Sequence, residues 1–343
     1  MKRVGILTGG GDAPGLNAVI WAVVKRGYKY GYQVIGIKDG WRGLLEEDAQ
    51  VLTPEDVEDI QREGGTIIGT SRTNPFKVEN GPEKILDNMR SMNLDALIAV
   101  GGEDTLGVAL KLYKQGLKVV GVPKTIDNDL SATDYTFGFD TAINIVTECL
   151  DRLHTTAKSH HRVLVVEIMG RHAGWITLYG GFSGGAHLII IPEEPFDLEE
   201  ICKFVRKRME VGKLYTIIAV AEGAVPKEGE KFVTQAEGTD AFGHIRLGGI
   251  AKALEKEIEK RTGAETRSVI LGHLQRGGRP SAFDRILATR LGLKAIELVK
   301  EEKFGQMPAL RGTEIVAVTL EEAVGRLKQV PSKLFAEFKE LLE

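Results

Sequence analysis

The sequence predicts a doubly wound α/β protein, and three observations lead to this class. Short runs rich in Val and Ile, apolar on both faces, alternate along the chain with longer amphipathic stretches. Such runs are typical of parallel strands that helices cover on both sides. Glycine clusters follow several of these runs directly, where a strand would give way to a helix. Alternation of this kind is the pattern of doubly wound parallel sheets.

The strands are predicted at the runs that are rich in Val and Ile. In chain order they cover residues 4–7, 34–37, 96–100, 119–122, 163–168, 188–191, 216–220, 268–271 and 315–318. Because these runs are apolar at successive positions rather than at alternate ones, we expect strands buried on both faces of parallel sheets.

The helices are predicted at the amphipathic stretches between the strands. They cover residues 16–30, 83–92, 105–115, 141–158, 198–211, 250–260 and 282–302. The polar, glycine-containing stretch 226–243 has weak periodicity and is predicted as an exposed loop or insertion without an assigned role. No repeat of 20–50 residues is present in the sequence, which disfavours a solenoid.

Composition excludes several classes of protein. With 45 basic and 48 acidic residues the net charge is −3, so we expect no nucleic-acid partner and no basic membrane patch. A hydrophobic content of 43% excludes a disordered chain. Cys149 and Cys202 match no metal spacing and rule out a disulfide framework. No apolar run reaches the roughly 18 residues that span a bilayer, and we expect a soluble, cytoplasmic protein of about two domains.

The first glycine cluster, residues 8–15, lies between the first strand and the first helix. Glycines such as Gly10 and Gly11 let the backbone approach an anion closely, and the next helix presents free N–H groups. The cluster has neither the lysine of a P-loop nor the dinucleotide-binding spacing. Taken alone, it fits either an anion site or a plain strand–helix turn.

The second cluster adds two carboxylates to a glycine turn. Gly102 precedes Glu103, Asp104 and Thr105, directly after the strand at 96–100. Carboxylates beside a phosphate are favourable if Mg²⁺ lies between them. The alternative is that these residues cap the next helix, since Asp and Thr both favour such positions.

A third loop, residues 123–129, combines a cation with carboxylates after the strand at 119–122. Lys124 is a candidate phosphate ligand, and Asp127 or Asp129 could hold a metal or abstract a proton. Asn and Asp are also common in turns, so a plain turn is the alternative.

Three later strands end on polar groups as well: Met169-Gly170-Arg171, Glu222, and His273 with Arg276. Because ligands bind beyond the carboxyl ends of strands in open α/β sheets, all these loops describe one cleft. Its anion-binding groups and acids are the inventory of phosphoryl transfer.

The order of these motifs resembles the phosphofructokinase family over nearly the whole chain. The motifs are GGGDAPGLN at 9–17, GTSR at 69–72, GGEDT at 101–105, TIDND at 125–129, MGR at 169–171 and GHLQRGG at 272–278. The resemblance implies phosphorylation of the 1-hydroxyl of fructose 6-phosphate to fructose 1,6-bisphosphate. It also implies two doubly wound parallel-sheet domains facing each other across a cleft. The donor domain would comprise 1–138 and about 275–325, and the sugar-phosphate domain 139–274 and about 326–343.

The resemblance also implies roles for individual residues. Asp127 would be the general base, Thr125 would contact the transferred phosphoryl group, and Glu103 and Asp129 would hold Mg²⁺. Glu103 would do so directly or through water, since the family usually has Asp there. The catalytic set implied is Asp127, Thr125, Arg171, Lys124 and Asp104. The donor set implied is Gly10, Gly11, Arg72, Gly102, Asp104, Thr105 and Lys124.

A further set would bind the sugar phosphate. It comprises Thr125, Asp127, Met169, Gly170, Arg171, Glu222, His273 and Arg276. Arg162 and Arg267 would reach into the neighbouring subunit's site and bind its 6-phosphate. This implies a homodimer or homotetramer with shared active sites.

Two departures from the ATP-using pattern indicate the phosphoryl donor. ATP-using members usually have Gly where Asp104 and Lys124 stand, and this pair resembles the pyrophosphate-dependent branch. Two like charges about 4 Å apart repel by about 4 kcal/mol at an effective dielectric near 20, so Asp104 would disfavour the α-phosphate of ATP. Val108 and Trp41 stand where the resemblance puts the adenine pocket, although Trp41 could still stack a base. We therefore expect reversible use of pyrophosphate.

Other functions stay open. The protein could be an ATP-dependent 6-phosphofructokinase in which Asp104 only caps a helix, because the motif set also resembles a short, actinobacterial-type group in which both donors occur. It could be a non-catalytic sugar-phosphate-binding regulatory subunit, although Asp127, Arg171 and Arg276 are intact. A NAD-dependent dehydrogenase is permitted by the fold class but lacks the fingerprint.

Regulation by effectors is not expected. Trp21, Lys25, Pro54 and His154 stand where bacterial ATP-dependent members carry effector-binding arginines. Since most of that positive charge is missing, we expect neither strong activation by ADP nor inhibition by phosphoenolpyruvate.

Overall fold

The computed structural model describes residues 1–227 and 249–342. The strands in this part of the chain are β1 (Arg3–Thr8), β2 (Gln33–Ile37), β3 (Ala49–Leu52), β4 (Ala96–Gly101), β5 (Val119–Pro123), β6 (Val163–Ile168), β7 (Leu188–Ile190), β8 (Thr216–Ala221), β9 (Thr266–Ile270), β10 (Gln306–Arg311) and β11 (Glu314–Thr319). The helices are α1 (Leu16–Lys29), α2 (Trp41–Glu46), α3 (Gly81–Ser91), α4 (Glu103–Tyr113), α5 (Phe139–His160), α6 (Trp175–Ser183), α7 (Leu198–Glu210), α8 (Ile250–Thr262), α9 (Ala282–Lys300), α10 (Leu320–Val324) and α11 (Ser332–Glu340). The predicted loop at 226–243 lies outside the described residues from position 228 onward. Among the helices described, none combines the length and the apolar character needed to cross a membrane.

Two sheets carry the fold, and the predicted α/β class is confirmed. The first has the order β3-β2-β1-β4-β5 and is parallel except for β3, while the second has the order β7-β8-β6-β9 and is parallel throughout. Eight of the nine predicted strands lie in these sheets. The parallel placement predicted for 315–318 is wrong, because β11 pairs with β10 in an antiparallel hairpin.

The first sheet is buried on both faces, as its apolar runs predict. Successive residues of β1 enter opposite cores: Ile6 packs with α1 and α9, whereas Leu7 packs with α4. All six residues of β4 are buried. The hairpin continues this body beyond β5, where the Gly305 amide donates to the Val119 carbonyl at 2.8 Å.

The second sheet is built in the same way. Val166 faces the core that α5 and α6 cover, and its neighbour Val165 faces the core that α7 and α8 cover. Phe335 of α11 packs in the first of these cores, whereas Leu291 of α9 packs against the first sheet. We keep the division into donor domain and sugar-phosphate domain, with the boundaries given above, as a proposal.

All seven predicted helices are present, but α2, α6, α10 and α11 were not predicted. The helix α6 contains Gly180 and Gly181, which disfavour helices by about 1 kcal/mol each. A Cβ atom at Gly180 would lie 2.7 Å from Val146, and one at Gly181 would lie 3.0 Å from Ala219. The glycines therefore permit close packing of α6 on α5 and on the sheet.

Candidate active site

A cavity of about 630 Å³ lies where strands of both sheets end. It is lined by Gly10, Gly11, Arg72, Gly102, Glu103, Asp104, Thr105, Lys124, Thr125, Asp127, Asp129, Met169, Arg171, His172, Glu222, His273 and Arg276. Each of the six predicted motifs contributes to this lining. His172 was not predicted, although its position next to Arg171 in the sequence could have indicated that it lines the cavity.

The first glycine loop is held open by its neighbours. The Gly9 amide donates to the Val100 carbonyl, the Gly10 amide donates to the Ser71 carbonyl, each at 2.9 Å, and the Thr70 hydroxyl donates to the Gly10 carbonyl at 2.7 Å. Gly10 has φ 81°, a conformation that residues with a Cβ rarely adopt. The backbone of this loop therefore faces the cavity without side chains of its own.

Thr105 leaves no room for a side chain at Gly9 or Gly101. Its hydroxyl oxygen lies 2.6 Å from where a Cβ atom would stand on Gly9, and equally close to such an atom on Gly101. Thr105 is buried in the first turn of α4, so the loops after β1 and β4 meet at this side chain. The two glycine clusters thus form one surface.

Lys124 lies beneath the first glycine loop. Its side chain is only 4% exposed, and its ammonium donates to the Gly11 carbonyl. Burial, together with the positive charge of Arg276, lowers the pKa of Lys124 to about 7. An anion bound at this loop would favour the protonated form of Lys124.

The loop after β5 brings two carboxylates into the cavity. Asp127 accepts no hydrogen bond at its buried Oδ1 within the described residues, and its amide donates to the Thr125 hydroxyl at 3.1 Å. Burial raises the pKa of Asp129 to about 7, and the charges of Asp127 and Glu103 act in the same direction. Asp127, Asp129 and Glu103 therefore lie close enough for their charges to interact.

This set of groups fits a hard divalent cation. Carboxylate oxygens are the ligands that Mg²⁺ prefers, and Mg²⁺ usually takes one or two of them together with substrate phosphates. The buried Oδ1 of Asp127, which has no hydrogen-bond partner among the described residues, is an oxygen that such a cation could bind. Among the described residues, no three or more His, Cys, Asp or Glu side chains are grouped so that they could hold a metal ion by themselves.

The opposite wall comes from the second sheet. Gly170 has φ 145° and does not itself line the cavity, but its carbonyl accepts from the Gly223 amide at 3.1 Å. Burial, with Asp127 acting in the same direction, raises the pKa of Glu222 to about 7. This wall therefore offers an acid beside the guanidinium of Arg171.

Gln275, which was not predicted, joins two loops of this wall. It is fully buried, its side-chain oxygen accepts from the Met169 amide at 3.1 Å, and its side-chain nitrogen donates to the Gly272 carbonyl at 3.1 Å. Arg276 then reaches the other side of the cavity, where it donates to the Asp12 carbonyl at 3.3 Å. Gln275 thus has a polar partner in each loop. In the sequence, its position between the predicted site residues His273 and Arg276 could have indicated a role for it.

Arg162 and Arg267 do not line this cavity. Both bind Glu265, at 2.7 Å and 2.9 Å, and they lie at the amino ends of β6 and β9. The cavity is at the carboxyl ends of the strands, so these arginines do not serve this chain's own site. Their predicted action on a neighbouring subunit stays a prediction.

The residues expected near an adenine ring are both buried. Trp41 is 1% exposed and Val108 is 4% exposed, and both pack in the core that covers Leu7. A base can stack only on an open ring face, so the alternative in which Trp41 stacks a base finds no support in this arrangement.

The chain is similar to known proteins over most of its length. A family model described as Phosphofructokinase matches residues 3–299. The chain is 58% identical over 337 residues to the pyrophosphate--fructose 6-phosphate 1-phosphotransferase of Amycolatopsis methanolica, with 98% of each protein covered. It is 52% identical over 336 residues to ATP-dependent 6-phosphofructokinase 3 of Streptomyces coelicolor, again with 98% of each covered. A solved phosphofructokinase from Saccharomyces cerevisiae superposes with a TM-score of 0.82 at 32% identity, over 95% of this chain and 45% of that longer chain.

Proposed function

Since this chain belongs to the phosphofructokinase family, we propose that it transfers a phosphoryl group reversibly from pyrophosphate to the 1-hydroxyl of fructose 6-phosphate. The products are fructose 1,6-bisphosphate and phosphate, in glycolysis and gluconeogenesis. The observation that carries the donor assignment is the buried ammonium of Lys124 beneath the first glycine loop, with Asp104 on the same cavity.

The donor site suits a small and highly charged molecule. Lys124 and Arg72 supply positive charge next to the backbone of Gly10 and Gly11, where pyrophosphate would lie. Asp104, in the first turn of α4, would face the additional phosphate of a nucleotide and repel it. The relative that is 58% identical is named for pyrophosphate, which supports the same donor.

Asp127 is the proposed general base on the 1-hydroxyl. Its buried Oδ1 without a hydrogen-bond partner is available to accept that proton. Thr125 contacts the transferred group, and Arg171 balances the charge that develops on it. Glu103 and Asp129 hold Mg²⁺, which would neutralise charge on the phosphoryl oxygens when it is bound.

The sugar phosphate lies against the second sheet in this proposal. Met169, Gly170 and Glu222 contact the sugar, while His273 and Arg276 bind on the side of the 6-phosphate. Arg162 and Arg267 act from a second copy, so the enzyme is a homodimer or homotetramer. Exposed apolar side chains near His273, namely Ile270 and Leu274 at 53% and 66% exposure, support an interface there. A cytoplasmic location stays a prediction.

An ATP-dependent 6-phosphofructokinase is the second candidate, because a relative named for ATP is 52% identical.

Independently of the donor, we propose that effector regulation is absent. The hydrogen bond that the structure shows for the His154 ring goes to a neutral group, since its Nε2 lies 2.9 Å from the Gly184 carbonyl, and the ring packs on His187 and Tyr215. Burial lowers the pKa of His187 to about 4, so that ring is neutral at neutral pH.

Two double variants test the donor assignment. Asp104→Gly with Lys124→Gly makes room and removes both charges, and we expect kcat/KM with ATP to rise about tenfold or more, since about 1.4 kcal/mol of relieved repulsion suffices. The matched control, Asp104→Asn with Lys124→Met, removes the charges but leaves the space filled. It should lose pyrophosphate use and gain less ATP use than the glycine variant, because it relieves the charge repulsion but not the crowding. An unchanged donor preference in the glycine variant would show that these residues do not select the donor.

A further inference from the structure

The segment that joins α10 to α11, residues 326–331, contains none of the six motifs, yet it contacts active-site loops of both sheets. We call it the connecting segment. It follows the last helix packed on the first sheet and precedes α11, which packs on the second. Its central residue is Lys328, which is half-buried although it carries a charge.

Lys328 binds the loop that carries Asp127 and Asp129. Its ammonium donates to the side-chain oxygen of Asn128 at 3.0 Å and to the carbonyls of Thr133 at 3.0 Å and Asp134 at 2.8 Å. Its backbone amide donates to the Asp129 carbonyl at 2.7 Å. All three ammonium protons are thus used within one loop.

Because Asn128 lies between Asp127 and Asp129, its contact with Lys328 affects how both carboxylates are oriented. It is 3% exposed and has φ 51°, a left-handed conformation that places Asp127 and Asp129 on either side of a sharp turn. Its Oδ1 also accepts from the Thr136 amide at 3.1 Å. Without Lys328, three acceptors in this mostly buried loop would lose a charged donor, and the turn would lose its main fixed partner.

The same segment also binds the loop on the other side of the cavity. The Lys328 carbonyl accepts from the Trp175 side chain at 2.7 Å, and the Val330 amide donates to Glu193 at 2.9 Å. Glu193 accepts from the Gly174 amide at 3.0 Å as well. Trp175 and Gly174 close the loop that begins with Arg171 and His172, so one short segment touches the supports of both catalytic walls.

We propose that Lys328 is a positioning residue for phosphoryl transfer, which holds Asp127 and Asp129 in alignment with Arg171 across the cavity. The inference rests on the proposed function, because that function gives these three residues their roles. Lys328 lines no part of the cavity and touches no substrate group, so its effect on the reaction is indirect.

The first test compares Lys328→Met with Lys333→Met in the full-length protein. Lys333 is an exposed lysine of α11 and serves as the matched control. We expect kcat of Lys328→Met to fall roughly 10–100-fold, the range found for supports of catalytic groups, while KM for fructose 6-phosphate changes less than about twofold, because the sugar site lies on the other sheet. Lys328→Gln is the second variant if the methionine variant does not fold, and the same split is expected. Wild-type kcat in either variant overturns the proposal, and so does a rise in KM with kcat unchanged.

A chemical rescue separates positioning from general stability. Lys328→Cys, treated with 2-bromoethylamine, regains an ammonium group at nearly the reach of lysine: the thiol loses its proton to solvent, and its sulfur forms a thioether bond as bromide leaves. We expect treatment to restore most of the lost kcat, while treated wild type, which retains Cys149 and Cys202, stays unchanged. A treated protein that unfolds at the wild-type temperature but remains slow would overturn the proposal.

The donor assignment is tested separately in the same experiment. Each variant is compared with wild type using whichever of pyrophosphate and ATP the wild type turns over faster. Faster turnover with ATP would overturn the proposed donor and leave the kcat ratio of Lys328→Met interpretable. A ratio near one with either donor would overturn the role of Lys328 and leave the proposed donor intact.

Discussion

Asp284 offers a quantitative test of the packing that joins the two halves of the molecule. It lies in the first turn of α9, is fully buried, and accepts from the Thr141 amide at 2.8 Å and the Thr141 hydroxyl at 2.5 Å. Thr141 belongs to the first turn of α5, so this contact connects helices of the first and second sheets. Its other oxygen, Oδ1, has no hydrogen-bond partner among the residues described. Burial therefore raises the pKa of Asp284 to about 6 from an ordinary value of 3.8.

The size of the effect follows from this shift. About two pKa units correspond to about 3 kcal/mol in the free energy of unfolding. Because the folded protein holds the proton more tightly than the unfolded chain, this stability is fully present below the unfolded pKa and is lost as pH rises through about 6. Asp284→Asn resembles the protonated form and keeps an oxygen for Thr141. Its stability relative to wild type should therefore increase by about 2 kcal/mol between roughly pH 4.5 and 7.5, the part of the loss that falls within that interval.

Urea unfolding of both proteins across this pH range measures the difference. Asp56→Asn is the control with the opposite sign. Asp56 is exposed, and hydrogen bonds from the Thr53 amide and hydroxyl lower its pKa. Because the folded pKa of Asp56 lies below its ordinary value of 3.8, the Asp56 variant should be less stable than wild type by an amount that stays nearly constant across this range, and the deficit should vanish only at more acidic pH, as pH falls through the folded pKa. A stability difference for Asp284→Asn that does not change with pH would refute the reasoning about burial.

Three further predictions concern the site, the packing and regulation. Burial raises the pKa of Glu222 to about 7, so KM for fructose 6-phosphate should fall as pH rises through that value and the Glu222 carboxyl group becomes ionised. In Glu222→Gln, initial rates should give a KM that is about tenfold higher and independent of pH. Gly180→Ala should lower the free energy of unfolding by about 1–3 kcal/mol, since its Cβ would lie 2.7 Å from Val146. Gly107→Ala in α4, where a Cβ would meet no atom within 4 Å, should raise the free energy of unfolding by about 0.5–1 kcal/mol. Equal effects of the two variants in urea unfolding would contradict this account. Saturating phosphoenolpyruvate should leave the fructose 6-phosphate curve hyperbolic, and a sigmoidal curve would contradict the absence of an effector site.

Much of the fold is visible in the sequence because burial on two faces leaves a strong pattern. The run that became β4 is apolar at every position, those that became β6 and β8 are apolar except at Glu167 and Thr216, and all three are buried throughout. The pattern fails where burial is partial. In β3, Gln50 and Val51 are exposed at an antiparallel edge. The pattern also fails at β10, which is largely buried but contains Pro308, a residue type that sequence rules exclude from sheet interiors.

The site is predictable to a similar extent and for a related reason. Its glycines and charged residues stand directly after predicted strands, and parallel topology brings such positions to one edge of each sheet. Contacts between distant parts of the chain are not predictable in this way. Lys328 and Asn128 are 200 positions apart, and no local pattern joins them. Arg162 and Arg267 show the same limit, because a second copy of the chain would be needed to bring them to a site.

The most direct measurement is the donor preference of the wild-type enzyme. Purified protein with Mg²⁺ and fructose 6-phosphate receives either pyrophosphate or ATP, and fructose 1,6-bisphosphate formation is followed in each case. In the reverse direction, fructose 1,6-bisphosphate receives either phosphate or ADP. The account predicts turnover with pyrophosphate and with phosphate, and a kcat/KM for pyrophosphate at least about tenfold above that for ATP, which corresponds to about 1.4 kcal/mol. An equal or higher kcat/KM with ATP would contradict the role given to Asp104 and Lys124.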